Sequence, residues 1–417
     1  MTSSPDQASR EAFAARWGQP PTAVVRAPGR VNLIGEHTDY SLLPVLPIAI
    51  ERHLLIAASA TADGVVEAAS AAFDGIVRIN RTAIDDEPAA VWGRYLAGAL
   101  RELADVAAGQ GAFIHVSGDL PAEGGLSSSS ALTVGVIAAL NAAWDAGLDR
   151  DEILRRAVVA ERHVGVESGG MDQTVILFAE SGSALRIDFE PPAHRNVLIP
   201  DGLAFVVAAS GDEAPKGGAA RAAYNERVVG ARIAAVMLAD QVGIDVSAPP
   251  VLRDVAGVDV IDILVEDLPE KISAVEVARS VGSDIEHIVR LTASRFDHMA
   301  KVPVRRVAAH VLSEADRVER AEAALLAGDL TGFGALLNAS HDSLRQDFRC
   351  STPALDKVCA AMRKAGAFGA RLTGAGFGGY ALAAVPPDRV ASVIEAALAA
   401  TGGPAFEVHA SDGLRLL

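Results

Sequence analysis

The stretch GRVNLIGEHTDY, residues 29–40, holds an arginine, an asparagine, a glutamate, a histidine and an aspartate among residues that are mostly apolar or glycine. So much hydrogen-bonding capacity in an otherwise apolar stretch makes it the first candidate for chemistry. A second candidate is PAEGGLSSSSALTVGVIAAL, which follows a predicted strand and opens a predicted helix. Gly124 and Gly125 let backbone amides approach a ligand closely, and the first turn of a helix presents unpaired N–H groups with partial positive charge. That geometry suits an oligophosphate. Composition alone favours a flexible linker or a helix N-cap, but a linker should not run straight into an amphipathic helix. The GxxxxGK[ST] nucleotide loop is absent, so any phosphate site here is of another type.

The third candidate, ERHVGVESGGMDQ, sets Glu161 at a helix end and Asp172 after two glycines. A divalent cation bridging phosphates needs oxygen ligands, and a serine hydroxyl plus one carboxylate with waters suits Mg²⁺. Glu161 could be that carboxylate and Asp172 a base; spacing alone favours a surface glutamate and a helix-capping aspartate. The fourth, RLTGAGFGGY at 371–380, has glycines that permit close backbone approach or tight packing.

The elements that must position these groups follow from pattern. At 417 residues the chain is long enough for two lobes. Half of it is apolar and 22% is charged, which fits a packed globular protein rather than a disordered one. A net charge of -16 with scattered Lys and Arg argues against nucleic acid or an anionic membrane as partner. No apolar stretch is long enough to span a bilayer, and the polar N-terminus shows no secretion signal. Cys350 and Cys359 form neither a CxxC nor a zinc pattern and read as small buried hydrophobes, consistent with a cytoplasmic protein. Phe13–Trp17 reads as a helix ending at Gly18, and TAVVRAPG, LLIAASA, VVEAAS and FIHVSGDL read as strands. Leu132, Val136, Leu140 and Ala143 share one helical face, and a further helix covers Ile153–Arg162. TVILFAESGSALRIDF reads as two strands around a Ser-Gly turn. GLAFVVAAS opens a second half with long helices near Tyr224–Leu238 and Val304–Leu326. The expectation is a mixed α+β protein with lobes at 1–199 and 200–417.

Together the four stretches, with YNER at 224 and ASHDSLRQDF at 339, resemble the galactokinase and N-acetylgalactosamine kinase branch of the GHMP kinase superfamily, in the family's order and over almost the whole chain. The resemblance implies an N-terminal ribosomal protein S5 domain 2-like lobe, a C-terminal ferredoxin-like lobe and an active site between them. It implies ATP-dependent phosphorylation of galactose at the anomeric hydroxyl, with Mg²⁺ as cofactor, in a monomer or weak homo-oligomer. Asp172 would be the base, with Arg30 beside it favouring the ionised carboxylate. Glu36, His37, Asp39, Gly170 and Tyr224 would hold the sugar. ATP would be held by Gly124, Gly125, Leu126, Ser127, Ser128, Ser129, Ser130 and Ala131, with Gly374 and Gly376 closing over it and Trp92 and Tyr95 at the adenine. Ser129 and Glu161 would hold Mg²⁺. In GLSSSSAL and GVESGGMDQ the wording is nearest to eukaryotic N-acetylgalactosamine kinase and yeast-type members, which keeps N-acetylgalactosamine as an alternative substrate. A non-catalytic galactose and ATP sensor is the remaining alternative.

Three departures stand out. Ser41-Leu42-Leu43-Pro44 replaces a polar turn beside the sugar segment, and Glu123 stands where a small residue is usual, so it should face solvent. Tyr380 replaces a common cysteine, as a packing change. His341, Asp342 and Arg345 are expected to brace the C-terminal lobe rather than to react.

Overall fold

The computed structural model describes residues 4–84, 88, 90–121, 125–165, 169–212, 218–245, 249–282 and 297–417, with no side chains described at 218–221. The chain divides into two compact units whose segments interleave: Met1–Val31, Pro47–Leu185 and His409–Leu417 form one, and Asn32–Leu46 with Arg186–Val408 form the other. A contiguous break at 199/200 therefore does not describe the packing. Asn32–Leu46 belongs with the later residues because its turn is tied to them. Val45 and Ile187 exchange backbone hydrogen bonds of 3.2 and 3.1 Å, and Tyr40 and Leu43 lie in the core that contains Val206, Val307 and Phe348.

In the first unit a six-stranded mixed sheet runs in the spatial order Arg415–Leu416, Ala23–Ile34, Leu46–Thr61, Gly111–Gly118, Val65–Ser70, Ile76–Asn80. Val65–Ser70 pairs with Gly111–Gly118 in parallel, while Leu46–Thr61 pairs with Gly111–Gly118 antiparallel. The opening helix, Pro5–Trp17, is set by Ser4, whose hydroxyl accepts the Gln7 N–H, and stopped by Gly18 in the left-handed conformation. It docks through Phe13 and Trp17, the latter stacked on Phe113 at 5.4 Å. The helix Ser128–Ala143 is buried at every position from Ser130 to Leu140. It is therefore an interior helix and not the amphipathic one its Leu132, Val136, Leu140 spacing suggests.

Met171–Phe178 is a helix, where the run TVILF reads as a strand. Thr, Val and Ile favour strands chiefly by packing on a pleated surface. Here Gly170 takes the left-handed N-cap, Thr174 Oγ1 donates to the Gly170 carbonyl at 2.7 Å, and most of the helix is buried, so tertiary packing overrides the local preference. Only Ser183–Phe189 of that segment is extended.

The second unit is built on a four-stranded antiparallel sheet in the order Gly369–Thr373, Tyr380–Val385, Ala204–Ala209, Ala405–Val408. Helices cross between the first and second of these strands in chain order and between the third and fourth, which is the split βαβ arrangement of a ferredoxin-like domain. Pro353–Lys364 and Val390–Thr401 are two of them, and the long helices Gly218–Val242, Arg305–Ala327 and Leu330–Ser343 complete the unit. Among the described residues no helix is long and apolar enough to cross a membrane.

Candidate active site

In the first unit the strand that carries Arg30 is laid directly against the Ser-rich loop. Gly29 makes this possible, because a Cβ there would sit 2.8 Å from the Leu126 carbonyl oxygen. The Arg30 N–H donates to that same oxygen at 3.2 Å. Its guanidinium then spans loop and helix. Nε and Nη2 donate to Asp172 Oδ1 and Oδ2 at 2.6 and 2.8 Å, and Nη1 donates to the Gly125 carbonyl at 2.7 Å. This is the bidentate geometry in which an arginine holds a carboxylate most firmly. Asp172 stands in the first turn of its helix, where the aligned peptide dipoles also favour a negative charge. Ser127, at the N-cap of the Ser128–Ala143 helix, donates to Asp172 Oδ2 at 2.5 Å, and Ser130 lies 3.5 Å from the same oxygen. Among the described residues Oδ1 thus accepts from Arg30 alone and retains acceptor capacity. The link from Ser127 to Asp172 is absent from the sequence reading, which gives that serine to the phosphates.

Glu161 lies in the helix Arg150–His163 and is 4% exposed. Burial pushes its carboxyl up to about 7, a contact with Ser130 pulls it back, and the Asp172 charge raises it further. Its Oε1 is buried with no hydrogen-bond partner. A buried carboxylate oxygen without a partner is costly unless a cation or a proton satisfies it. Ser128 and Ser129 are half-buried in the first helical turn, Leu126 and Ala131 are buried, and Gly125 is exposed. Gly124 and Glu123 lie outside the described residues. Trp92 is buried and stacks on Phe73 at 6.3 Å, while Tyr95 is half-buried in the same helix.

In the second unit the rest of the opening motif is held from several sides. Glu36 is 2% exposed. Its Oε1 accepts the Gly374 N–H at 2.8 Å and the Thr373 hydroxyl at 3.3 Å, and its Oε2 accepts from Asn32 Nδ2 at 2.7 Å and pairs with Arg371. Desolvation raises its carboxyl, and the Arg371 guanidinium and Gly374 amide oppose that. Both oxygens are therefore engaged inside the protein, and Glu36 joins the motif to the glycine loop. His37 is held at φ 67 and stacks on Phe348 at 4.1 Å. Its Nε2 lies 3.1 Å from the Ala375 carbonyl oxygen, which requires N–H there and leaves Nδ1 as an acceptor in the neutral ring. Burial drives its pKa down to about 3, with the neighbouring His310 adding to the fall, so the ring is neutral at physiological pH. Tyr224 lies 5.6 Å from His37 and 6.1 Å from Tyr40, ring centre to ring centre. Asp39 opens a short 3₁₀ turn and is 9% exposed. The apolar Ser41–Pro44 turn is stitched by Thr38, whose hydroxyl oxygen lies 2.9 Å from both the Gly35 and Pro44 carbonyls.

Gly374 and Gly376 both take positive φ. At Gly376 a Cβ would meet the Cys350 carbonyl oxygen at 2.7 Å, which explains the glycine without a ligand. Cys350 and Cys359 are buried free thiols, and burial lifts Cys359 to about 12. Tyr380 is buried against Phe406. His341 does brace this unit, accepting the Leu372 N–H at 3.3 Å and facing Asp356 at 3.2 Å. Asp342 and Arg345 are exposed and pair with each other at 3.5 Å.

Comparison with known proteins places the chain in a family. Residues 11–60 match the galactokinase galactose-binding signature, 94–180 the GHMP kinases N terminal domain and 321–403 the GHMP kinases C terminal domain. The galactokinase of Streptomyces coelicolor is 36% identical over 98% of this chain and 97% of its own length. That of Chloroflexus aurantiacus is 35% identical over 92% of this chain and 89% of its own. The crystal structure of Lactococcus lactis galactokinase complexed with galactose superposes with a TM-score of 0.78 at 28% identity, covering 99% of both chains. A mevalonate kinase, at 17% identity and a TM-score of 0.56, shares the fold. On the signature, the full-length relatives and the two-domain match, the chain belongs to the galactokinase family of the GHMP kinases.

Proposed function

We infer that this chain catalyses the ATP-dependent phosphorylation of galactose at its anomeric hydroxyl, giving galactose 1-phosphate and ADP. The observation that carries the reading is the Arg30–Asp172 pair at the Ser-rich loop, in a chain whose opening motif lies within the galactose-binding signature. Arg30 holds Asp172 in orientation, and the acceptor capacity left on Oδ1 takes the proton of the anomeric hydroxyl as the hydroxyl oxygen attacks the γ-phosphorus and ADP leaves. Such base assistance contributes about 10²- to 10⁴-fold. The transition state of phosphoryl transfer is loose, so positioning and charge neutralisation carry much of the remaining rate. The N-terminal amides of the Ser128–Ala143 helix and the loop from Gly124 to Ala131 supply part of both. Gly374 and Gly376 are assigned to nucleotide binding, and Trp92 and Tyr95 to the adenine.

The residues present fit a bound Mg²⁺: Glu161 has a buried carboxylate oxygen without a partner, and the Ser129 hydroxyl stands in the first turn of the loop helix. Mg²⁺ is bound through one or two carboxylates, with substrate phosphates and water completing its shell. Bound there, it would neutralise charge on the β- and γ-phosphate oxygens. On the sugar side, His37 Nδ1, Asp39, Gly170 and Tyr224 take the hydroxyls, and Glu36 holds the segment in place.

An ADP-release assay with Mg-ATP against galactose, N-acetylgalactosamine, glucose and 2-deoxygalactose tests the reading. Turnover of galactose well above that of N-acetylgalactosamine is expected. The opposite preference would reassign the substrate, and galactose binding without turnover would make the chain a sensor.

A further inference from the structure

Glu314 stands on the long helix Arg305–Ala327, 0% exposed and far in sequence from every motif described above. A carboxylate so deeply buried is destabilising unless its charge is matched and its lone pairs are filled. Both conditions are met, and the partners are informative. Oε1 accepts the Gly35 N–H at 3.0 Å and the Ser340 hydroxyl at 2.6 Å, and Oε2 accepts Arg317 Nε at 2.7 Å. Arg371 Nη2 lies 3.9 Å from Oε1, and the same nitrogen pairs with Glu36 Oε2. The same arginine is 0% exposed and donates from Nη1 to the Leu33 carbonyl at 2.9 Å. One turn before Glu314, His310 Nε2 lies 3.1 Å from the Glu36 carbonyl oxygen, which requires the ring to donate there.

The backbone from Leu33 to Glu36 is thus pinned at three polar groups by side chains of one helix and one strand: Leu33 C=O, Gly35 N–H and Glu36 C=O. Gly35 has φ 104, and a Cβ on it would lie 2.9 Å from Val45 Cα, so the amide is turned toward Glu314 at a position no other residue fits. His37, next but one, holds a left-handed φ of 67 that a side-chain-bearing residue adopts only when its surroundings impose it.

We infer that Glu314, with Arg371 as the shared cation between it and Glu36, is a positioning residue for sugar recognition: it fixes the path of the chain at Gly35 and thereby the placement of His37 and Asp39. This rests on the galactose reading above. Glu314 touches neither substrate in that scheme and acts only through the segment it holds.

The test is Glu314→Gln, which keeps the shape and one acceptor but removes the charge facing Arg317 and Arg371. Hydrogen bonds to charged groups are strong enough that kcat/KM for galactose should fall by roughly tenfold or more. The KM for ATP should rise less than that for galactose, since Glu314 contacts the sugar segment directly and reaches the Gly374 loop only through Arg371 and Glu36, and the galactose-induced rise in Tm should shrink in parallel. Arg371→Lys, which keeps the charge but cannot reach Leu33 and Glu36 together, should show the same split, and it serves if Glu314→Gln does not fold. Unchanged galactose kinetics in a folded variant would overturn the inference. So would equal losses toward galactose and ATP accompanied by a lower Tm, the pattern of a merely structural group. Absence of galactose turnover in the unaltered protein would instead remove the underlying reading.

Discussion

Replacing Arg30 by lysine separates the charge beside Asp172 from its geometry. The guanidinium makes three side-chain contacts at once: two to the carboxylate, at 2.6 and 2.8 Å, and one to the Gly125 carbonyl at 2.7 Å. An ammonium group is a point donor on a flexible stem and cannot reproduce a planar fork. Lysine can retain one contact to Asp172 and must give up the other, together with the tie to Gly125 or its equivalent. The pair is mostly shielded, with side-chain exposures of 7% and 20%, so the lost charge-assisted bond is worth about 1.5–3 kcal/mol. At 1.36 kcal/mol per decade, that is roughly a 10- to 150-fold loss in kcat/KM. Part of it should appear as a raised KM for ATP, because Gly125 lies in the loop proposed to cradle the phosphates. Kinetics from the ADP-release assay, with both substrates varied and Tm recorded, give the answer. Turnover within about twofold of the unaltered protein, at unchanged KM for ATP, would show that charge alone suffices and would refute the argument from geometry.

Asp172→Asn should retain binding of both substrates by calorimetry and lose about 10²- to 10⁴-fold in kcat, as expected for removal of a base. Glu161→Gln should leave the fold intact by circular dichroism and raise the Mg²⁺ concentration for half-maximal turnover by about tenfold or more, since the carboxylate proposed to hold the cation becomes an amide. His310, which burial holds at about 4 against an ordinary 6.5, binds fewer protons folded than unfolded between those values. Its contribution is present above pH 6.5 and lost as pH falls toward 4, roughly 3 kcal/mol in all. Urea unfolding at pH 7 and pH 4.5 should therefore show a smaller acid-induced loss of stability for His310→Gln than for the unaltered protein.

The parts of the site that were legible in the sequence are those whose chemistry is carried by neighbours in the chain. The loop serines stand out by residue type, whereas the roles of Arg30 and Asp172 follow from the resemblance of their motifs to a known family, since spacing alone makes Asp172 a helix cap. The pairing of Arg30 with Asp172 matched expectation in the finished geometry. What holds the sugar segment was not legible. Gly35 and Glu314 are 279 positions apart, and Arg371 and Leu33 are 338 apart. Nothing in the helical pattern of Arg305–Ala327 marks one of its glutamates as buried. Arg371 even stands inside a quoted motif, where the glycines drew the reading toward a ligand and away from a buried ion pair. The helix at Met171–Phe178 was missed for a related reason, since its β-branched run is decided by the surroundings it packs into and not by its own preference.

The interleaving of the two units bears on how this protein can be made and cut. Val25 and Leu416 are register partners across one sheet, though nearly the whole polypeptide lies between them. Asn32–Leu46 is a loan from the early chain to the later unit. A single cleavage or a single stop codon cannot release either unit whole, and a half-length fragment carries unmatched sheet edge and apolar surface of the kind that promotes aggregation. Contacts of such long range also slow folding. A split-protein reporter built on this scaffold would therefore need its break in a surface loop inside one unit, such as the turn at Asp63–Gly64, rather than at the midpoint of the chain.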